Sequence, residues 1–276
     1  MRSDLVVISW WSNCLGLACL HNLVRYTDER EIYVVQVGKS AAAKQRFRDR
    51  LPLAVRELGY PAHLPAEHCK VMEAVARDLL CGCEGLWFFD HDVFVCEDLE
   101  PWLTGMDRRL GRSACGLCHF EAADDVPSLT SPVFWLSPAR LPQDLPSFEP
   151  IPYREIAVSR RPDLFRASAD LRMPEKDTLV RVREFLAERD MTCRFSLQSF
   201  PRHDHLGGLY MFAGEMPPES LRDWVEGRVE KFTAFYKACP QEWIAAEDAV
   251  LLERLTEFQQ VVSSGRQGGS RHHGKE

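Results

Sequence analysis

The chain has 276 residues, 45% of them hydrophobic, and a formal net charge of -7. That length admits one large domain, or one domain with a helical appendage, and the acidic balance argues against nucleic acid as a partner, which requires a basic face. No apolar run approaches the roughly 20 residues that a membrane span needs.

The N-terminal stretch MRSDLVVISWWSN does not read as a secretion signal. Asp4, Ser9, Ser12 and Asn13 interrupt its apolar residues, and no small-residue cleavage site follows. The expected location is the cytoplasm. Leu5–Trp10 is a short apolar strand. Ser12 or Asn13 caps a helix that runs to about Tyr26, with Leu15, Cys19, Leu23 and Tyr26 on one face. Glu31–Val37 is a second strand, rich in β-branched residues. Ser40 caps a basic amphipathic helix reaching about Leu58, divided or kinked at Pro52. Ala62–Leu64 is predicted as a short third strand. Glu67–Leu80 is a third helix, ended by Gly82 and Gly85.

Leu86–Cys96, LWFFDHDVFVC, follows. An apolar strand here stops on Asp90, His91 and Asp92. Bare carboxylates at the edge of a core are costly, and a divalent cation with its preference for oxygen ligands offsets that cost. Side chains alternate along an extended chain, so Asp90 and Asp92 share a side. The stretch therefore predicts a metal-holding acidic pair, with His91 pointing the other way.

Three strand–helix units with short links predict an α/β fold: a Rossmann-like, mostly parallel sheet flanked by helices, with ligands beyond the carboxyl ends of the strands. Farther on, Ala114–Phe120 and Pro132–Leu136 are strands, Leu141–Pro152 a proline-rich loop, Lys176–Arg189 a helix and Phe195–Phe200 a strand. Pro217–Tyr236 and Gln241–Phe258 are amphipathic helices forming a C-terminal extension. Residues 263–276 are polar, glycine-rich and expected to be disordered. The chain thus divides into one domain over 1–262, with a first half to about residue 100 and a second half over 101–262, and a tail. Ten cysteines are present. Cys81, Cys83, Cys115 and Cys118 together are a zinc alternative to reduced structural thiols, although their spacing departs from known ligand patterns.

Four stretches together resemble a glycosyltransferase of the GT-A fold. VVISW with its capped helix and EIYVVQVG is similar to that family's nucleotide-binding start. LWFFDHDVFV resembles its strand ending in Asp-x-Asp, SPVFWLSPARL the strand after the motif, and HDHLGG the late histidine that completes the metal site. The resemblance covers roughly residues 4–215. It implies a nucleotide-diphosphate sugar as donor, with Mn²⁺ or Mg²⁺ bridging the phosphates. Asp92 would be the direct ligand and Asp90 a ligand or a ribose contact. His205 would be the third ligand, with His203 as fallback, and Gly207 and Gly208 would let backbone approach the phosphates. The acceptor would be a glycan, a lipid, a peptide or a small molecule.

Where the family often has an acid after its second strand, this chain has Gly38, Lys39 and Ser40. Ser9, Trp10 and Lys39 are the candidate nucleotide contacts, Trp10 or Trp11 by stacking on the base. An inverting member needs a carboxylate base. Glu247 and Asp248 resemble the family's Glu-Asp pair, although they come after the late histidine, and acids near a helix N-terminus also follow from the helix dipole alone. Asp125, with Glu121 and Asp124, is the other candidate. A retaining mechanism needs no such base. Two rivals stand beside this reading. A haloacid dehalogenase-like phosphatase also uses Asp-x-Asp after an apolar strand, but Phe94 replaces its threonine. The other is a non-catalytic nucleotide-sugar-binding protein of the same fold.

Overall fold

The computed structural model describes residues 1–28, 30–61, 63–64, 67–121, 132–149, 151–152, 176–177, 179–196, 199–206 and 222–269. Strand β1 (Asp4–Trp10) leads into helix α1 (Asn13–Tyr26), then β2 (Ile32–Val37), α2 (Ala41–Arg48) and the short β3 (Val55–Glu57). Helix α3 (His68–Ala74) continues into a π-turn over Val75–Leu79 before β4 (Leu86–Asp90) and β5 (Val93–Val95). After α4 (Glu100–Gly111) come β6 (Leu117–Glu121), β7 (Val133–Leu136), a two-stranded pair of β8 (Ile151–Pro152) and β9 (Lys176–Asp177), and α5 (Val180–Ala187). The chain ends with β10 (Thr192–Ser196), β11 (His203–His205), α6 (Arg222–Ala238) and α7 (Ala246–Gly269). The last helix takes in residues 263–269 of the stretch expected to be disordered. Among the described residues no helix is long and apolar enough to cross a membrane.

Seven strands form one sheet in the order β10-β6-β7-β4-β1-β2-β3, and β7 alone runs antiparallel to its neighbours. The expected α/β class, mostly parallel with helices on both faces, is borne out. The alternation in LVVI shows why. Leu5 and Val7 point into one core with α1, Phe47 of α2 and Leu103 and Leu110 of α4. Val6 and Ile8 point into the other, with Val71 and Met72 of α3 and Val182 and Leu186 of α5. A strand buried on both faces has no polar side, so it reads as a continuous apolar run. Trp87 and Trp135, both fully buried, fill the first core as register partners on β4 and β7.

Several boundaries differ from expectation. The helix begun at Ser40 stops at Arg48, before Pro52, and the third strand lies at Val55–Glu57 instead of Ala62–Leu64. The helix expected from Lys176 starts at Val180, because Leu179 is left-handed at φ 67° and breaks the turn before it. The strand expected at Phe195–Phe200 occupies Thr192–Ser196, paired with β6.

Candidate active site

The acidic pair sits where β4 runs out. Asp90 is the last residue of β4, in register with Ile8 of β1, and its N–H donates to the Pro132 carbonyl at 2.9 Å. The chain turns at His91 and Asp92 into β5, which is pinned from below. The Asn22 side chain on α1 donates to the Val95 carbonyl (2.9 Å) and accepts from the Val95 N–H (2.8 Å), as a neighbouring strand would. Along its other edge β5 pairs antiparallel with β11, placing His205 opposite Val93, and Leu206 N–H donates to the Asp92 carbonyl at 3.1 Å. That ladder delivers His205 to the acids, its Nε2 lying 3.4 Å from Asp92 Oδ1. One ligand atom from each of Asp90, Asp92 and His205 lies within 4.8 Å of the others.

Asp92 is buried, Asp90 half-buried and His205 exposed. Burial and the Asp92 charge push the Asp90 carboxyl up to about 7, against the pull of His205. Burial also opposes ionisation of Asp92, but its hydrogen bond with His205 and the charges of His91 and His205 hold its pKa below the usual value. The protein supplies one exposed imidazole against two carboxylates, which is the imbalance that a bound cation corrects. Among the described residues this is the cluster able to hold a metal; Cys81, Cys83, Cys115 and Cys118 do not form such a group. His203, the fallback ligand, lies opposite Val95 and bonds the Pro201 carbonyl at 3.0 Å.

Two further histidines belong to this neighbourhood. Burial lowers the His91 pKa, with Lys39 and His205 lowering it further and Asp92 raising it. His68, the first residue of α3, is driven down to about 4 by burial and by His91, with Asp92 opposing. Its ring stands edge-on to Trp10 with centroids 6.1 Å apart. His68 carried no motif in the sequence. The fold alone brings the start of α3 beside the end of β1.

Gly38 ends β2 at φ +67°, a conformation open to glycine, and an added Cβ there would lie 3.4 Å from Trp10 Nε1. The turn sends Lys39 inward. Its Nζ donates to Ser9 Oγ (2.8 Å) and to the Ser12 carbonyl (3.1 Å), and it stands 3.9 Å above the Phe47 ring. Burial pulls the Lys39 pKa down to about 7, with Asp248 and Glu247 pulling the other way. Ser9 is fully buried, and a Cβ on Gly16 would come within 2.0 Å of its hydroxyl. Ser9 and Lys39, expected as nucleotide contacts, are therefore tied to each other beside α1 and Phe47, on the face of β1 opposite the one on which the half-buried Trp10 packs.

Trp11 follows at φ 56°, inside a γ-turn closed by Ser12 N–H to the Trp10 carbonyl at 2.6 Å. A γ-turn with positive φ is a rare, strained form, and strain persists only where surroundings over-determine it. Here the surroundings are the C-terminal helices. Asp248, with no exposed surface, accepts from the Ser12 hydroxyl, from Asn13 N–H (3.2 Å), from the Tyr236 hydroxyl (3.2 Å) and from Ala245 N–H (3.0 Å). Asp248, expected as a general base, thus has both oxygens hydrogen-bonded, joining the first turn of α1 to α6 and α7. Glu247 accepts from Ser40 N–H at 3.1 Å and so caps α2, while its Oε2 has no hydrogen-bond partner. Burial opposes ionisation of Glu247, but the Ser40 hydrogen bonds and Lys39 hold its carboxyl below the usual range. The apolar core of α6 and α7 also takes in Trp11, Phe94 and Leu206, so these helices touch both the Trp11 turn and the strands carrying Asp92 and His205. Gly207, Gly208, Asp124 and Asp125 lie outside the described residues, and of Glu121 only the backbone is described.

No family model matches the chain, and neither does any curated protein. Solved structures do. The chain is similar to nucleotide-sugar glycosyltransferases. Glucosyl-3-phosphoglycerate synthase from Mycobacterium tuberculosis, in complex with Mn²⁺, UDP and glucosyl-3-phosphoglycerate, is 12% identical over 86% of this chain and 80% of that one, with a TM-score of 0.44. A protein described as a nucleotide-diphospho-sugar transferase from Desulfovibrio desulfuricans G20 is 10% identical over 94% and 98%, at 0.43. The galactosyltransferase LgtC, in complex with donor and acceptor sugar analogues, is 15% identical over 69% and 72%, at 0.40. The chain spans about a third (32%) of the bifunctional glycosyltransferase WbbM, which it also matches. With every one of these TM-scores below 0.5, the likenesses fix no activity, and the functional reading rests on the site.

Proposed function

We propose that this protein is a metal-dependent glycosyltransferase that moves a sugar from a nucleotide-diphosphate donor to an acceptor hydroxyl. The observation carrying this reading is the convergence of Asp90, Asp92 and His205 at the carboxyl end of a central strand. Two carboxylates and one imidazole are a donor set that suits Mn²⁺ or Mg²⁺, and the raised Asp90 pKa marks a negative charge the protein leaves uncompensated. Asp92, Asp90 and His205 would hold the ion, which when bound neutralises the donor diphosphate and stabilises it as a leaving group.

The chain's own residues do the rest. Trp10 and His68 give the base an aromatic wall at the end of β1. Gly207 and Gly208 are the candidate phosphate-contact residues. Glu247, whose Oε2 is uncommitted, is the base candidate for inversion, with Asp125 as the alternative. Residues up to about 100, joined by His205, Gly207 and Gly208, serve the donor, and the rest of 101–262 the acceptor.

The test is a thermal-shift panel of UDP and GDP with and without Mn²⁺, on the full chain and on Asp92→Asn. One nucleotide should raise the melting temperature only when Mn²⁺ is present and Asp92 intact. Nucleotide binding that ignores both the ion and Asp92 would overturn the assignment.

A further inference from the structure

The turn that ends β1 is held from two sides. Trp11, at φ 56°, is its central residue, and a bulky side chain does not keep that backbone unaided. From the sheet, Trp11 N–H donates to the Val37 carbonyl (2.9 Å) and Lys39 Nζ to the Ser12 carbonyl (3.1 Å). The other side is the C-terminal hairpin of α6 and α7. The Ser12 hydroxyl donates to Asp248 Oδ1 and lies 2.8 Å from the Tyr236 hydroxyl, and Asn13 N–H donates to Asp248 Oδ2 at 3.2 Å. Ser12, Tyr236 and Asp248 are all buried, so water does not replace a lost partner. Asp248 Oδ2 also accepts from Ala245 N–H, just ahead of α7, so one carboxyl ties the hairpin to the turn. The two tryptophans divide between these supports. Trp11 packs against the hairpin core with Phe232 and Leu251, and Trp10 against the core under α3 with Val37 and Met72.

We propose that Asp248 is a positioning residue for the donor nucleotide: through Ser12 and Asn13 it sets the turn from which Trp10 meets the base, and so couples nucleotide binding to the docking of α6 and α7. This rests on the transferase reading. Without Asp248, the bonds from the sheet still hold Trp11 N–H and the Ser12 carbonyl, but the Ser12 hydroxyl and Asn13 N–H lose their acceptor. The turn then relaxes toward negative φ, and the Trp10 ring shifts against His68. Coupling of this kind is reciprocal. A nucleotide that binds the ordered turn stabilises the docked hairpin by the same factor by which the docked hairpin tightens the nucleotide.

The candidate metal ligands are held by other means. Asp90 belongs to the central sheet, and Asp92 and His205 are set by the ladder of β5 and β11, with Asn22 of α1 bonding β5 from its other edge. The hairpin meets those strands through apolar contact, as where the rings of Phe94 and Phe235 lie 5.4 Å apart. The Asp248 hydrogen bonds run to the β1 turn and the hairpin instead. Asp248 therefore acts on the nucleotide and not on the ion, and that split separates positioning from general support of the fold.

The experiment measures the two ligands apart: Mn²⁺ alone by electron paramagnetic resonance, then UDP and GDP at saturating Mn²⁺ by calorimetry. The full chain is compared with Asp248→Asn, Tyr236→Phe and Leu110→Ala. Leu110 is buried in α4, whose last residue Gly111 stands beside Met1 at the opposite end of β1, so its variant reads lost stability alone. Asp248→Asn keeps the shape but turns one acceptor oxygen into a donor. It should weaken the nucleotide roughly tenfold and leave Mn²⁺ affinity unchanged. Tyr236→Phe should shift nucleotide affinity the same way by less, and Leu110→Ala should shift neither. In the wild type, bound nucleotide should slow amide exchange in α6 and α7 as well as at Trp11 and Ser12. Wild-type nucleotide affinity in both Asp248→Asn and Tyr236→Phe would overturn the proposal. So would an equal loss in Leu110→Ala, a matching loss of Mn²⁺ affinity, or protection confined to the strand ends. Tyr236→Phe removes one hydroxyl and the exchange measurement needs no variant, so the outcome does not hang on Asp248→Asn folding. A wild type that binds neither nucleotide with Mn²⁺ overturns the transferase reading itself, and this coupling with it.

Discussion

The two ends of the central sheet treat buried charge in opposite ways. Where the strands begin, the Arg30 guanidinium is fully buried and fully matched. It donates to Glu100 at 2.7 and 2.8 Å, to Asp107 at 2.8 Å and to the Ser3 carbonyl at 2.7 Å. Asp107 also accepts from Ser3 N–H and from the Trp87 indole. Burial opposes the Arg30 charge, but its two acid partners outweigh that and raise its pKa. Where β4 ends, Asp90 and Asp92 share one exposed imidazole. The first end is complete within the protein and serves the fold. The second is left short of positive charge, which is the shortfall that the proposed cation would make good.

Breaking the matched end should have the largest effect. Removing both acids, Asp107→Ala with Glu100→Ala, strands a buried guanidinium and should cost about 3–5 kcal/mol in a urea titration, with the residual metal affinity of the folded fraction unchanged. At the other end, Mn²⁺ at about a hundred times its dissociation constant should add about 2.7 kcal/mol of stability. In Asp92→Asn that gain should vanish while stability without metal is kept. Equal loss of stability in both variants would remove the distinction between the two ends.

Lys39 sharpens the comparison through pH. Its folded pKa, about 7, lies below the unfolded value of 10.5. Between those values the unfolded chain binds the proton and the folded one does not. Stability from this group therefore rises with pH across that window, by up to about 1.4 kcal/mol per unit, and its penalty is fully present below about pH 7. The difference between wild type and Lys39→Met, followed by denaturation from pH 7 to 10, should carry that slope; a flat difference would show Lys39 charged in the native state. The smallest effect is Tyr236→Phe. It removes one partner each from Ser12 and Asp248 and should cost about 1 kcal/mol, read by calorimetry.

The elements that the sequence showed plainly are those whose burial is written in local order. LVVIS and LWFF are apolar because both faces of their strands are covered, and Ser12 and Ser40 announce their helices by accepting from Leu15 and Ala43 N–H. Strand β3 was misplaced because VRE has a single apolar residue at the sheet edge. Strand β11, HDH, has none, and only its pairing with β5 makes it a strand. The acidic pair of the candidate site was legible because carboxylates after an apolar run are costly wherever they sit, whereas His205 came only from the resemblance carried by HDHLGG. The inward turn of Lys39, the approach of His68 and the capping role of Asp248 were not. Each depends on residues distant in the chain, and Asp248 reaches Asn13 across a separation of 235. Local pattern says what a side chain can do, while its neighbours decide what it does.

The ladder that brings His205 to Asp92 also sets an order of events in time. Only three register pairs join β5 to β11. The chain between them must close its loop before that ladder repays the lost entropy. At about 5–20 residues per second on the ribosome, both carboxylates exist for several seconds before the imidazole is made. A nascent chain therefore carries a two-carboxylate site, and the third ligand arrives only after most of the sheet has been synthesised. Under the proposed function, tight metal capture would report that translation of the domain has passed β11.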